Sequence, residues 1–514
     1  MITFPKGGVH PPENKWTASN PISDMPPGGE VVLFLSQHIG APAKAVVKPN
    51  SEVKVGTLIA AAGGYVSAPV HASVSGKVKK VDLFSHPAGM QMPGILIAND
   101  GKDTMCEEID TSQELVAFSE QYLEEHTTRA KTYLSERKDA AGDGLTVGET
   151  GVPSFETALK QEALDHIKKR MKDTDQNYGD VFEKESVPWP RIINNALRRI
   201  IASAGIVGLG GATFPTAVKL NPPNPDNIDL LILNGVECEP YLTSDHQLML
   251  DYTGKVIQGL RILLAMFPKA KGYIGIEANK MDAVKVLTEA CKPYDNMEVV
   301  PLKVKYPQGG EKQLIKAISR REVPSQKLPF EVGAIVHNVG TVTAIYDAVI
   351  KNKPLYERIT TITGGAVAEP KNLHLRVGTK LEDILTFCGG ATDVKKAIFG
   401  GPMMGKALPD LTGAVVKGAS GFIFMTGDEA QLPQAGTCIR CGRCINACPM
   451  GLSPTLLAAY AQHQDMDNLG RFSVLDCIEC GSCAYVCPAK IHLVHWIKTG
   501  KWLYNQFVKA KKGK

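Results

Sequence analysis

Eight of the twelve cysteines in this 514-residue chain lie between Cys438 and Cys487. They repeat one pattern twice: three cysteines at intervals of three residues, a fourth after four more, and then a proline. The N-terminus, MITFPKGGVHPP, has no apolar segment of the kind that directs export. Disulfide frameworks are typical of exported chains, so this dense cluster predicts a metal site. The two runs are Cys438, Cys441, Cys444 and Cys448, and Cys477, Cys480, Cys483 and Cys487.

The duplicated spacing is that of proteins that carry two [4Fe–4S] clusters. Zinc is the alternative, but zinc sites use pairs of cysteines, typically with four ligands per ion. The first three cysteines of each run wrap a short loop around one cluster, and the fourth cannot curl back onto it, so it ligates the other cluster. The sequence therefore predicts cluster A on Cys438, Cys441, Cys444 and Cys487, and cluster B on Cys477, Cys480, Cys483 and Cys448.

The composition excludes several classes of function. A net charge of +4 and an aromatic content of 6% argue against nucleic-acid binding. The longest uncharged stretch, residues 200–218, is interrupted by glycines and Pro215, so it predicts no membrane-spanning helix. We expect a cytoplasmic chain of roughly three to four domains, at about 150 residues per domain. The isolated Cys106, Cys238, Cys291 and Cys388 are expected to be small buried side chains.

A glycine-rich turn follows a predicted helix at Ile192–Ile201. It runs from Gly205 to Thr216 and matches neither the dinucleotide fingerprint nor the P-loop. Its bare backbone could approach a phosphate or a flat ring, and Lys219 lies within reach to neutralise charge. By itself the pattern is equally compatible with a structural turn.

Polar clusters follow four short apolar runs, predicted as strands at residues 229–233, 273–276, 299–304 and 334–336. Because ligands of open α/β sheets bind at the carboxyl ends of the strands, these clusters favour a nucleotide- or flavin-sized site. Glu237 and Glu239, separated by one residue, could line such a pocket or be a solvated pair.

These motifs together resemble two related families. The segment Gly208 to Lys219 and the segment Asn234 to Pro240 resemble the flavin- and NADH-binding subunit of respiratory complex I. The segments Gly7 to Pro12, Ser36 to Pro42 and Ser67 to Gly76 make the whole chain more similar to the C subunits of Rnf complexes, the membrane-bound ferredoxin:NAD⁺ oxidoreductases of bacteria. The expected flavin site is less acidic than that of the complex I subunit. At three positions where that subunit has an acidic residue, this chain has Val236, Gly310 and Gly340.

The resemblance implies FMN, NAD(H) and the residues that bind them. FMN would be bound by Gly208, Gly210, Gly211, Lys219, Asn234, Glu237, Glu239, Asn338 and Thr341. NAD(H) would contact Phe214, Glu239, Tyr306 and Glu311.

The implied architecture is multidomain, with α/β and β modules. A barrel-sandwich domain like those of lipoyl and biotinyl carriers is expected over residues 1–102, without a carrier lysine at Ala62–Tyr65. A charged, solvated helical insertion follows at 103–190, a Rossmann-like FMN and NAD(H) domain at 191–356, and a β-grasp domain at 357–430. A helical dicluster ferredoxin domain at 431–492, with one helix over 454–471, precedes an amphipathic helix and basic tail at 493–514, which could pack on the cluster module or lie against a membrane.

The implied function is that of a peripheral subunit on the cytoplasmic face of a bacterial inner membrane. It would pass electrons between NAD(H), FMN and the two clusters, since a flavin can exchange both hydride and single electrons. Expected partners are the other subunits of the complex, including a ferredoxin-like iron–sulfur subunit and membrane subunits, and no nucleic acid. Two alternatives stay open: the diaphorase subunit of a soluble hydrogenase or dehydrogenase, and a non-catalytic wiring subunit with an empty flavin site.

Overall fold

The computed structural model describes residues 1–119, 121–125, 128, 148–173 and 189–512 of the chain. Parts of the predicted insertion at 103–190, and Lys514, lie outside the described residues. No helix of the described part is both long enough and apolar enough to cross a bilayer.

The N-terminal unit consists of two small antiparallel sheets around an aliphatic core, as the barrel-sandwich prediction requires. Val31, Ile59, Val70 and Ile95 are buried in this core. After a short β1 (Ser23–Asp24), its strands are β2 (Glu30–Phe34), β3 (Lys44–Ala45), β4 (Glu52–Val53), β5 (Leu58–Ala61), β6 (Val70–His71), β7 (Gly76–His86) and β8 (Met90–Asn99). One sheet has the order β2-β8-β7-β4 and the other β3-β5-β6.

The hairpin that would hold a carrier lysine is instead packed against its neighbours. A Cβ on Gly63 would lie 2.0 Å from the carbonyl oxygen of Pro42, so only glycine fits there. The amide of Asn221 donates to the hydroxyl of Tyr65 at 3.3 Å, which brings the hairpin to the next unit of the chain.

The insertion is less solvated than the sequence predicts. Helix α1 (Phe155–Asp173) packs on α2 (Trp189–Ser203). Phe155, Ala158 and Leu159 of α1 are buried in the same core as Leu197 of α2. The buried residues Phe155, Ala158, Leu159 and Ala163 recur at helical spacing, and this short apolar stripe packs into the core although most of the helix is polar.

The central unit is an open sheet of four parallel strands with the order β11-β10-β9-β12. The strands are β9 (Leu230–Asn234), β10 (Lys271–Glu277), β11 (Met297–Leu302) and β12 (Ala334–Asn338). The helices after α2 are α3 (Thr216–Lys219), α4 (Ser244–Asp251), α5 (Thr253–Met266), α6 (Met281–Cys291), α7 (Glu311–Ser319) and α8 (Val339–Lys351). All four predicted strands are present with shifted ends, and their polar carboxyl ends meet at one edge.

The third unit is a six-stranded sheet with the order β1-β14-β13-β17-β15-β16 and a helix packed on it. Its elements are β13 (Glu357–Thr363), β14 (Lys371–Arg376), α9 (Leu381–Phe387), β15 (Lys396–Phe399), β16 (Lys406–Ala407), β17 (Gly421–Met425) and α10 (Gly427–Ala430). Strand β1 of the N-terminal segment pairs with β14, an addition that local sequence did not predict.

The last unit is helical, and the predicted helix at 454–471 is wrong in one respect. It is two helices, because Gln464 takes a left-handed backbone with φ of 53° between them. The elements are α11 (Arg443–Ala447), α12 (Pro454–Gln462), α13 (Met466–Arg471), α14 (Ser482–Tyr485) and α15 (Leu493–Lys512). Leu493 and Ile497 of α15 are buried against the cluster module, while Trp502 stays exposed.

Candidate functional site

The glycine-rich turn is closed by its own backbone. The amide of Gly208 donates to the carbonyl of Phe214 at 2.9 Å, and the amide of Thr213 donates back to the carbonyl of Gly208 at 3.1 Å. Gly211 has φ of 103°, and a Cβ there would meet no atom within 4 Å. The turn therefore presents bare backbone to an open space, which a flat ring or a phosphate could enter.

The turn rests on the carboxyl end of β12. The hydroxyl of Thr341 accepts from the amide of Leu209 at 2.9 Å, and a Cβ on Gly210 would lie 3.4 Å from that of Asn338. Asn338 caps α8 by accepting from the amide of Gly340 at 2.9 Å. The glycine turn and the N-terminus of α8 thus lie side by side, an arrangement that can bind a phosphate.

Lys219 lies beside this arrangement in an ion pair with Glu311, at 2.6 Å. Two buried polar atoms of the described residues have no hydrogen-bond partner here: the hydroxyl of Thr216, beside Lys219 in α3, and Nε2 of His337. Burial and the nearby Lys219 hold the pKa of His337 well below its usual value, so its imidazole is neutral. Unpartnered buried polar groups next to a lysine fit the phosphate end of FMN.

Asn234 is the last residue of β9, and Glu237 follows it at the same edge. The side-chain amide of Asn234 donates to the backbone carbonyl of Gly309 at 2.8 Å. The carboxylate of Glu237 accepts from the backbone amides of Asp245 and His246, at 2.8 and 3.2 Å, at the first turn of α4. Burial first, and then Glu237, raise the pKa of Asp245 to about 7.

Glu239 points to a different place. Its two carboxylate oxygens accept from the backbone amides of Met403 and Met404, each at 3.0 Å, in the loop after β15. Burial raises the pKa of Glu239 to about 6. Glu239 therefore connects the central unit to the third unit, the six-stranded sheet, and in this arrangement both of its oxygens are engaged.

Tyr306 likewise has a partner other than the predicted nucleotide. It is 2% exposed, and its hydroxyl donates to the backbone carbonyl of Cys480 at 2.8 Å. That oxygen also lies 3.4 Å from Glu239. Nothing in the local sequence indicated that this tyrosine lies between the sheet edge and the cluster module, so its predicted NAD(H) contact does not fit the buried position.

Two basic residues that were not predicted from the sequence stabilise the glycine turn and the segment after β9. The ammonium of Lys15 donates to the carbonyls of Glu237 and Glu239, each at 2.8 Å, and burial lowers its pKa to about 8. The buried guanidinium of Arg358 donates to the carbonyl of Leu209 at 2.7 Å. Both come from other units, Lys15 from the N-terminal arm (residues 1–22, before β1) and Arg358 from β13, so no local spacing could reveal them.

The four thiols predicted for cluster B surround one cavity. Cys448, Cys477, Cys480 and Cys483 all line it, with Leu457 and Ile497 among the apolar residues around them. Among the described residues no three metal-ligating side chains converge closely enough for a single ion. Cys448, the fourth cysteine of the first run, thus lines the same cavity as the first three cysteines of the second run. This is the placement expected for crossed ligation, and the ligation itself stays a prediction.

The cysteines predicted for cluster A lie nearer the surface. Cys438 and Cys441 are exposed, whereas Cys444 and Cys487 are buried in the core of the helical unit. Of the isolated cysteines, Cys106, Cys291 and Cys388 are buried as predicted, and Cys238 is half-buried.

Family models match four segments of the chain. They are an RnfC barrel sandwich hybrid domain at residues 3–102, a Nuo51 FMN-binding domain at 201–347, an SLBB domain at 359–407 and a 4Fe-4S dicluster domain at 432–488. The glycine turn, Lys219 and Asn338 thus lie in a segment described as FMN-binding, and all eight clustered cysteines lie in the dicluster segment.

Curated relatives match almost the whole chain. The C subunit of a proton-translocating ferredoxin:NAD(+) oxidoreductase complex from Clostridium ljungdahlii is 39% identical over 97% of this chain and 93% of its own length. The chain belongs to the C-subunit family of ion-translocating ferredoxin:NAD⁺ oxidoreductase complexes. A family member named for a Na(+)-translocating complex, from Acetobacterium woodii, is 38% identical over 96% of both chains. The family member from Pseudomonas aeruginosa is 34% identical over 98% of this chain and 55% of its own length.

One solved structure resembles the chain more distantly. A chain of a NAD+-reducing [NiFe]-hydrogenase aligns with a TM-score of 0.42 and 17% identity, over 62% of this chain and 64% of that chain. This likeness is too low to support a functional argument.

Proposed function

We propose that this chain is a peripheral electron-transfer subunit that passes electrons between NAD(H), FMN and two [4Fe–4S] clusters. It acts within a membrane-bound, ion-translocating ferredoxin:NAD⁺ oxidoreductase, on the cytoplasmic face of a bacterial inner membrane. The observation that carries the proposal is that one sheet edge serves both cofactor sites. The glycine turn rests on this edge. Tyr306 follows β11 at the same edge, and its hydroxyl donates to the backbone carbonyl of Cys480 at 2.8 Å.

The residues of this chain would bind and orient FMN. When bound, FMN exchanges hydride with NAD(H) and single electrons with iron–sulfur clusters. Lys219 and the N-terminus of α8 neutralise the phosphate, and the turn gives close backbone approach to the rest of the molecule. Arg358 stabilises the glycine turn, and Lys15 stabilises the segment after β9, through hydrogen bonds to backbone carbonyls. The proposed FMN residues are Gly208, Gly210, Gly211, Lys219, Asn234, Glu237, Asn338 and Thr341. Glu239, which the resemblance also implied, is left out because both of its carboxylate oxygens accept from Met403 and Met404.

Nucleotide binding is proposed on the open side of the turn. Phe214 and Glu311 are half-buried there and can be reached, Phe214 for stacking and Glu311 as a hydrogen-bond acceptor. Glu239 stays a predicted nucleotide contact, but its bonds to Met403 and Met404 favour a role at the boundary between units.

Cofactor analysis tests the proposal. After anaerobic purification and reconstitution we expect about eight iron, eight sulfide and one FMN per chain, and bleaching of the cluster absorbance by NADH. Zinc in place of iron would contradict the cluster assignment. Clusters without FMN, even with excess FMN present, would favour the wiring subunit with an empty flavin site.

The crossed ligation is tested by Cys448→Ser, with Cys106→Ser as the control for a buried cysteine outside the cluster module. Because Cys448 lines the cavity with Cys477, Cys480 and Cys483, its loss is expected to damage cluster B and to leave cluster A intact in the electron paramagnetic resonance spectrum. Damage confined to cluster A would overturn the assignment.

A further inference from the structure

The two cluster sites differ in how they can be reached from outside. The cluster B site is covered by the central unit and by the loop after β15: Tyr306 bonds to Cys480, and a Cβ on Gly481 would lie 2.9 Å from the carbonyl oxygen of Met403. In contrast, every residue from Gln431 to Cys441 is exposed, Cys438 and Cys441 included. A protein that docks on the helical unit can therefore reach two ligands of cluster A directly, whereas the ligands of cluster B are half-buried or buried.

The exposed surface around cluster A is basic and partly apolar. We define the cluster A face as residues 431–443. It presents Leu432 and Ile439, which are 72% and 69% exposed, together with Arg440 and Arg443. Neither guanidinium pairs with a carboxylate of the described residues, and the sequence from 431 to 464 contains no aspartate or glutamate. The two positive charges are therefore not neutralised by their own surroundings.

We propose that the cluster A face binds an acidic iron–sulfur protein that exchanges single electrons with this chain. The inference rests on the proposed function, because it takes the cysteines beneath the face to hold a cluster. One electron passes between the partner's iron–sulfur centre and that of this chain: one centre is oxidised as the other is reduced, and no proton or group is transferred.

The chemistry of the face matches what such an encounter needs. Electron-transfer complexes are small and transient, so a short exposed segment is large enough. Unpaired arginines steer an acidic partner and set its orientation, while exposed Leu432 and Ile439 supply an apolar centre. The two arginines lie within two residues of Cys438, Cys441 or Cys444, so the charge that attracts the partner is next to the redox site.

The test compares two double charge reversals in the reconstituted full chain. Arg440→Glu/Arg443→Glu removes the positive charge of the face. Lys44→Glu/Lys285→Glu makes the same change in charge at exposed positions in other units. The probe is a small acidic [4Fe–4S] ferredoxin. Its affinity is measured by anaerobic titration calorimetry at low and high salt, and its electron transfer after photoreduction by stopped-flow absorbance.

We expect the arginine variant to lose about tenfold or more in affinity and rate at low salt, with the loss disappearing at high salt. The lysine variant should keep both within about twofold. With cytochrome c, a basic one-electron acceptor, the arginine variant should instead react faster. If the double variant binds its clusters poorly, the milder Arg440→Gln replaces it, and we expect this variant to show an intermediate loss of affinity and rate.

Equal losses in the two double variants, or no dependence on salt, would overturn the proposal. Binding to vesicles that contain phosphatidylserine, without binding to the ferredoxin, would do so as well, since the face would then be a lipid surface. Reduction of the clusters by NADH is recorded on the same samples. Its failure in the parent chain would contradict the proposed function and leave the binding result to be judged separately.

Discussion

At the residue scale, charge near the glycine turn decides how tightly a phosphate can be held. Lys219 pairs with Glu311 at 2.6 Å, and both side chains are partly exposed. A bound phosphate would compete with Glu311 for this lysine, so we expect the pair to affect the affinity for FMN more than the affinity for riboflavin, which has no phosphate.

Lys219→Met is therefore expected to weaken FMN binding by roughly tenfold to a hundredfold, the value of a charged hydrogen bond, and to leave riboflavin binding unchanged. Glu311→Gln, which frees the lysine, should strengthen FMN binding. Fluorescence titration with both flavins measures these effects. Lys316→Met, a lysine of equal exposure in α7, is the control. Equal losses for FMN and riboflavin would mean that Lys219 only maintains the fold.

At the element scale, the N-terminal arm joins the central unit to the cluster module. The amide of Gly8 donates to the carbonyl of Ala447 at 2.9 Å, and Val9 pairs with Tyr306 through two backbone hydrogen bonds. A Cβ on Gly7 would lie 2.5 Å from the carbonyl carbon of Cys448. The arm thus packs directly on a residue that lines the cluster B cavity.

Gly7→Ala is expected to displace the arm and to reduce the occupancy of cluster B. Gly101→Ala is a matched control: the two glycines have similar φ values, 65° and 72°, but a Cβ on Gly101 would meet no atom within 4 Å. Both variants carry the same backbone strain of about 1–2 kcal/mol, so the difference between them isolates the contact with Cys448. Iron content and melting temperature measure it, and identical values in the two variants would contradict it.

At the scale of the whole molecule, one buried lysine connects three units. Lys417, 1% exposed and four residues before β17, donates to the carbonyl of Pro69 in the barrel sandwich at 2.7 Å and to that of Gly205, the first residue of the glycine turn, at 2.8 Å. Burial lowers its pKa from 10.5 to about 7. Between these two values the unfolded chain binds more protons than the folded chain, so this lysine makes stability rise with pH across that window.

The free energy of unfolding of the parent chain, relative to Lys417→Met, is therefore expected to increase from about pH 7 to pH 9 and to be lowest below pH 7. Chemical denaturation at several pH values measures the difference, with the exposed Lys285→Met as the control. A difference that is independent of pH would show that Lys417 does not change its protonation in this range.

Features that depend on spacing along the chain could be predicted from the sequence alone. Intervals of three and four residues predict the crossed grouping of the eight cysteines, and the cavity lined by Cys448, Cys477, Cys480 and Cys483 fits one half of it. Polar residues after short apolar strands predict the sheet edge. Such patterns are local, because the reach of a short loop and the period of a strand are set by covalent geometry.

Contacts between groups from distant parts of the chain, in contrast, depend on how the units pack together. Lys15, Arg358 and Lys417 each support a turn that belongs to another unit, and Glu239 and Tyr306 lie at the boundary between units. A buried charge must find hydrogen-bond partners wherever packing places it, and packing of separate units is not encoded in any local spacing. The same reason explains why α1 proved to be part of the central core although its charges predicted a solvated helix.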